Sequence, residues 1–185
     1  MYVGHINLAE SMNGTGEHFI KLVEGLDRQG IRQHVLVRNR SLARRLAVCD
    51  NVTVGPVVKT PVMAYCLMPS VSVAHAHDVK SGHAALLMTL TRSTPYVVTR
   101  RSTDAPGRNP ITRAIYRRAA SLICSTDAAA AKMLETDLSV PIDVIRDISY
   151  AASDDPETDG NRIAAEHARI YRRAIDSWRV PALLL

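Results

Sequence analysis

The stretch VSVAHAHDVKSGHAALLMTLTRSTPYVVTRR, residues 71–101, decides how the chain folds. It opens on alternating apolar residues, breaks at Asp78, continues as the helical pattern SGHAALLMTLTRS, and returns to a β-branched run opened by Pro95. Strand, helix and strand in that order make a βαβ unit, whose two strands run parallel. Val71, Val73, His75 and His77 alternate to one side of the first strand, so His75 is expected in the interior and His77 near the open end, with Asp78 just past it.

The same alternation runs through most of the chain. Strands are expected near residues 2–8, 33–38, 52–58, 71–77, 96–100, 121–125 and 142–146. In GEHFIKLVEGLDRQG, Phe19, Leu22, Val23 and Leu26 recur at helical spacing and Gly30 supplies a stop. NPITRAIYRRAA and TDAAAAKMLETD read as two further helices, with Asn109 before Pro110, and Ser125 with Thr126, as helix-start residues. The expected fold class is α/β: a Rossmann-like, doubly wound, mainly parallel sheet of about seven strands with helices on both faces.

The domain spans residues 1–150 on this reading. AASDDPETDGN, residues 151–161, is acidic and polar and reads as a linker. Residues 162–185 read as an amphipathic C-terminal helix and tail: Ile163, His167, Ile170, Tyr171, Ala174, Ile175 and Trp178 share one stripe, with Arg162, Arg169, Arg172, Arg173 and Arg179 largely off it. Docking back on the domain is one way to bury that stripe. Lying on anionic lipid, encouraged by the ending VPALLL, is the other.

Composition sets the outer limits. A chain of 185 residues, 46% of them hydrophobic, can bury one substantial core. No stretch approaches the roughly 18 uninterrupted apolar residues of a membrane span, and no leader pattern opens the chain. A soluble, cytoplasmic protein is expected, with peripheral contact at the inner face of the membrane as a further option. Cys49, Cys66 and Cys124 are far apart and form no C-x-x-C, so they read as reduced and mostly buried. The formal charge of +5 is almost wholly arginine, lysine occurring only at Lys21, Lys59, Lys80 and Lys132. Arginine grips phosphate and carboxylate at two points, so anionic ligands or an anionic membrane surface are indicated, against the alternative of solvated helix faces. With aromatics at 4% and no recognisable motif, no nucleic-acid partner is expected.

Ligands of open parallel sheets bind beyond the carboxyl ends of the strands. After the first strand, Gly14, Thr15 and Gly16 lead into a helix, where free amides suit a phosphate; a tight turn needing glycine is the alternative. His77 is the catalytic candidate, as general base or as partner of a sugar hydroxyl, while His75 reads as packed. H-x-H with His83 nearby also allows a small metal-dependent hydrolase. The motif does not continue as such sites do, and a full TIM barrel typically needs about 250 residues, so no metal ligand is assigned. After the fifth strand, Arg100 and Arg101, followed by Ser102, Thr103 and Asp104, form a candidate anion pocket; structural ion pairing is the alternative for either arginine.

Taken together, NGTGEHFIKLVEGLDRQGIRQHVLV, VAHAHD, PYVVTRRSTDAPGRNPITRAIYRRAASLICSTDAAAAKML and IDVIRD resemble, in order and spacing, the N-terminal domain of family 4 (retaining, GT-B fold) glycosyltransferases. The resemblance covers residues 1–150. It implies phosphate or donor contact by Gly14, Thr15 and Gly16, sugar contact by His77, and an acceptor side formed by Arg100, Arg101, Asp78 and Asp104. It implies a nucleotide sugar as substrate and no tightly bound cofactor. The family's second, donor-binding domain has no counterpart here, and the final helix resembles the one that closes the family fold. The expectation is the acceptor-binding half of a split glycosyltransferase acting in glycan or glycolipid biosynthesis, partnered by a donor-binding subunit or by a second copy of itself. A noncatalytic binding or scaffolding remnant is the second reading, and the hydrolase using His75 and His77 the third.

Overall fold

A computed structural model describes residues 1–10, 14–104, 109–136, 138–146 and 156–178. Seven strands, β1 (Tyr2–Asn7), β2 (Arg32–Val37), β3 (Val52–Val54), β4 (Val73–Ala76), β5 (Tyr96–Arg100), β6 (Ser121–Cys124) and β7 (Ile142–Val144), form one sheet in the order β3-β2-β1-β4-β5-β6-β7. Every pairing is parallel. The expected doubly wound architecture is the one found.

Four helices cover one face: α3 (Pro61–Leu67), α4 (Val79–Arg92), α5 (Pro110–Arg117) and α6 (Asp127–Leu134). Their buried residues meet Ile6, Leu36, Ala74, Ala76, Val98 and Leu122 of the sheet in a mainly apolar layer, within which the Tyr96 hydroxyl donates to the Ile115 carbonyl. The opposite face carries α1 (Gly14–Arg28), α2 (Arg40–Leu46) and α7 (Pro156–Ser177). There α1 and α7 pack on Val3, Val73, Val97 and Ile123. The sequence reading does not anticipate α2 and α3, each of seven residues, too short for a periodic stripe to stand out. Their signals are local: Asn39 caps the first amides of α2, and Thr60 followed by Pro61 starts α3.

α7 docks against α1, the first of its two expected placements. It begins at Pro156 rather than at residue 162, so the second half of the expected linker is helix. Proline fits a first turn, where its missing N–H has no partner to lose. Gly160, read as a breaker, marks a close crossing: a Cβ on Gly25 of α1 would lie 2.4 Å from the Gly160 carbonyl oxygen. Arg28 reaches across to Asn161 Oδ1 at 2.8 Å. The stripe expected to need a partner is buried inside the protein, Ile163, His167, Ile170 and Tyr171 almost completely, so it offers lipid no apolar face. VPALLL lies outside the described residues.

Gly30, at φ +67°, ends α1 in the left-handed conformation expected of it. The cysteines are unpaired, but only Cys124 is buried; Cys66 is exposed because short α3 buries Ala64 and turns Cys66 outward. Among the described residues no helix is long and apolar enough to cross a membrane.

Candidate functional site

From β1 the chain steps outward through β2 and β3; from β4 it steps the other way. The connections leaving β1 and β4 therefore diverge, and a crevice opens where these neighbours end. A pocket of about 220 Å³ lies at this end of the sheet, lined by Asn7, His77, Asp78, Thr99, Arg100 and Arg101 among others. Strand ends from β1, β4 and β5 thus bring four of the residues singled out in the sequence to one place.

His77 rests on a histidine layer that the sequence reading missed. His5 on β1 stands in register with His75 on β4, so the two rings share a face, and His77 follows two residues on. His5 Nδ1 and His77 Nε2 are 3.1 Å apart in a hydrogen bond. His75 is held at both nitrogens, by the Tyr171 hydroxyl at 2.6 Å and Thr99 Oγ1 at 2.7 Å. His167 donates from Nδ1 to the Ile163 carbonyl at 2.8 Å. The signal for His5 was available: it sits at an interior position of β1 among apolar residues.

His77 is also less open than its place at a strand end suggests. Its exposure is 4%, because the Phe19 ring of α1 covers it edge-on at 4.6 Å between centroids. Burial keeps these rings neutral. It lowers His5 and His167 to about 3 each, and drives His75 and His77 well below 6.5, with neighbouring histidines and Arg101 adding to the effect.

Either His5 Nδ1 or His77 Nε2 can donate in the bond between them. Gln33 donates its amide nitrogen to the Val23 carbonyl at 3.0 Å, which leaves the amide oxygen for other work. That side chain favours a proton on His5, although its oxygen and His5 Nε2 stand outside good hydrogen-bond geometry. With the His5 proton on Nε2, His5 Nδ1 accepts from His77 Nε2–H. His77 Nδ1, buried and without a partner, is then a bare acceptor for a ligand hydroxyl.

The remaining candidates divide by role. Asp78 is the N-cap of α4: its carboxylate accepts from the Ser81 amide at 2.8 Å and the Leu8 amide at 2.7 Å, tying the β4–α4 turn to the end of β1. Arg100 and Arg101 are sent to opposite faces by the pleat. Arg100 is 7% exposed and donates to the Tyr116 hydroxyl at 3.0 Å and to the Asp104 carbonyl, so it holds the loop after β5. Arg101 is half-buried on the histidine side. Asp104 is exposed and accepts from Ser102 Oγ at 2.8 Å. Gly14, Thr15 and Gly16 form the first turn of α1 rather than a loop before it. Residues 11–13, which lead into that turn, lie outside the described residues.

His5, His75 and His77 place ring nitrogens within 4.8 Å of one another, a spacing a metal ion could bridge. A metal held by all three would have to take one His75 nitrogen from Tyr171 or Thr99. All three rings already make hydrogen bonds, and His75 makes them at both of its nitrogens.

The fold is glycosyltransferase-like. HepE of Anabaena, in complex with UDP-glucose, superposes with a TM-score of 0.57 at 12% identity, over 80% of this chain and 44% of its own. A two-segment piece of sucrose-phosphate synthase from Thermosynechococcus elongatus gives 0.57 at 14% identity, over 94% of this chain and 98% of its own. The lipopolysaccharide outer core galactosyltransferase WaaB gives 0.54 at 11%, over 79% and 45%. This chain thus spans less than half the length of HepE and WaaB. No family model matches the sequence, and no curated protein does.

Proposed function

We propose that the chain is the acceptor-side lobe of a sugar-nucleotide-dependent glycosyltransferase, completed by a donor-binding lobe. The observation that carries this reading is the pocket at the ends of β1, β4 and β5 on a glycosyltransferase-like fold. Its chemistry suits a sugar bearing negative charge. His77 Nδ1 accepts from a hydroxyl, and Arg101 supplies a cation at the rim. The first turn of α1 presents amides to a phosphate of the donor. A neutral imidazole with so depressed a pKa orients a hydroxyl better than it removes a proton.

A nucleotide leaving group needs its charge stabilised from the opposite side of the cleft, which the second lobe provides. The test uses UDP-glucose, as bound in HepE, and a hexose phosphate as acceptor probe. The isolated chain is expected to bind the hexose phosphate with a shift of the His77 ring signals in NMR, lost in Arg101→Gln, and to leave UDP-glucose intact. Turnover of UDP-glucose by the chain alone would remove the need for a second lobe. Perturbations confined to residues far from His77 would remove the pocket.

One observation favours a noncatalytic binding lobe as the second reading: Asp78 is engaged as a cap, and burial drives the pKa of His77 well below 6.5 and makes it a weak base. On that reading His77→Ala weakens binding of the sugar but leaves the activity of the assembled complex unchanged.

A further inference from the structure

The two bonds of His75 join the cover of the sheet to the pocket. Its nitrogens link the Tyr171 hydroxyl of α7, at 2.6 Å, to Thr99 Oγ1 of β5, at 2.7 Å. A neutral imidazole carries one N–H, so it donates at one end of this chain and accepts at the other. Burial keeps His75 neutral, its pKa driven well below 6.5, and keeps the Tyr171 phenol protonated by pushing its pKa well above 10.

The chain can run in two directions, and burial chooses between them. In one, His75 donates from Nδ1 to the phenol oxygen and Thr99 donates to Nε2. The phenolic hydrogen is then stranded, because among the described residues Tyr171 Oη has no hydrogen-bond partner but His75, and its side chain is fully buried. A hydroxyl buried in this way loses its hydration and gains nothing in exchange. In the other direction Tyr171 donates to Nδ1, and His75 carries its proton on Nε2 and donates it to Thr99 Oγ1. The one hydrogen left over is that of the Thr99 hydroxyl, and Thr99 lines the pocket.

His77 lines the same pocket. Ala76 pairs with Val98, so the next step along both strands sets His77 beside Thr99 on one face. With the His5 proton on Nε2, His77 Nδ1 is the acceptor there, buried and without a partner. The wall of the pocket thus offers one donor and one acceptor from neighbouring strands.

We propose that Tyr171, acting through His75, is a positioning residue that makes Thr99 a hydrogen-bond donor in the pocket, and that Thr99 and His77 together select a ligand hydroxyl. Such a hydroxyl accepts from Thr99 and donates to His77, whereas a ketone or ether oxygen only accepts and leaves His77 Nδ1 unmet. The ligand class rests on the sugar reading of the pocket; the direction of the chain does not.

The test begins with long-range proton–nitrogen NMR of the full chain at pH 8, which separates the protonated from the bare nitrogen of each neutral ring. His75 and His77 are both expected to carry the proton on Nε2, and His75 should lose that preference in Tyr171→Phe. A purely structural Tyr171 would leave the tautomer where it was. Hexose phosphate then reports on the pocket: Thr99→Val and Tyr171→Phe should each weaken its binding roughly five-fold, and Thr99→Ser, which keeps the hydroxyl, should retain it. Protonation of His75 on Nδ1 in the wild-type chain overturns the direction proposed, and protonation of His77 on Nδ1, or unweakened binding in Thr99→Val, overturns the selection of a hydroxyl. If the wild-type chain shows the expected tautomers but binds no hexose phosphate, the sugar reading fails and the ligand class with it, while the role of Tyr171 stands.

Discussion

The two faces of one sheet are built from opposite materials. Under α3–α6 the sheet presents Ile6, Ala74, Ala76, Val98 and Leu122, which need nothing from their covering helices except bulk. Under α1 and α7 it presents His5, His75, His77, Gln33 and Thr99, all nearly inaccessible, among apolar neighbours. A buried polar group is tolerated only when bonded. On this face a covering helix supplies one of the bonds, Tyr171 of α7 to His75. The apolar face is thus a generic core, whereas the histidine face is a fitted one, and the pocket opens at its end.

The largest expected effect of this difference is on acid stability. His5, His75, His77 and His167 have their pKa lowered in the folded state while the unfolded chain protonates near 6.5. Below 6.5 the unfolded state therefore binds more protons, and stability falls as pH falls, down to the folded pKa of about 3 for His5 and His167. One such group costs about 1.4 kcal/mol per pH unit, and His5, His75, His77 and His167 act together. Against a typical total of about 5–15 kcal/mol, the protein should unfold before pH 4. Urea titrations at pH 8, 7, 6 and 5 check this: a plateau above 7 and a steep decline below 6.5 are expected, and a flat profile would contradict the neutral-histidine account.

Glycine substitutions sharpen the contrast next. Gly25→Ala puts a methyl 2.4 Å from the Gly160 carbonyl oxygen, where backbone must move and α7 must lift. Gly82→Ala, under the other face, meets Ile115 Cγ2 at 2.7 Å, the end of a side chain that can shift. We expect Gly25→Ala to cost about 3 kcal/mol and Gly82→Ala clearly less, partly offset by better helix propensity. Equal losses in thermal unfolding would show that α7 is not held at that crossing.

These contrasts also explain what the sequence made legible. The parallel sheet could be read because its strands are short β-branched runs between periodic helices, and Tyr96–Arg100 was placed to the residue. Pro156 and Gly160 misled because residues that punctuate loops also serve at a helix start and at a close helix crossing. His77, Arg100 and Arg101 stand out as polar residues at strand ends. His5 is marked locally only as a polar residue inside an apolar strand; its partnership with His75 and His77 depends on the register between β1 and β4, a long-range pairing. The division between Arg100 and Arg101 is implicit in strand alternation, but Tyr116 and Asp104, which hold Arg100, become neighbours only through the fold.

Removing single hydroxyls gives a smaller effect with the same logic. Tyr171→Phe leaves a buried His75 nitrogen unpaired, a loss of about 1–3 kcal/mol. Tyr65→Phe, on the outer layer, removes an exposed bond to Thr91 at 3.0 Å and should change stability by about 0.5 kcal/mol or less. Chemical denaturation of the two variants at pH 7 compares them directly; similar losses would mean that the His75 bond contributes nothing beyond a surface contact.

The smallest effect separates the adjacent arginines. Arg101 lies toward the histidines and helps hold His75, His77 and His167 low, whereas Arg100 faces Tyr116 and does not figure among their influences. Arg101→Gln therefore makes those rings easier to protonate within the folded protein. Their folded pKa rises toward 6.5, the excess protons bound by the unfolded state decrease, and the acid midpoint moves to lower pH. Because Arg101 is partly solvated, the shift should be about a few tenths of a pH unit. Arg100→Gln should instead lower stability at every pH, by freeing the Tyr116 hydroxyl and the Asp104 carbonyl, and leave the shape of the acid profile unchanged. If both variants move the midpoint alike, the pleat does not separate their fields, and the histidine layer responds to the pocket's total charge.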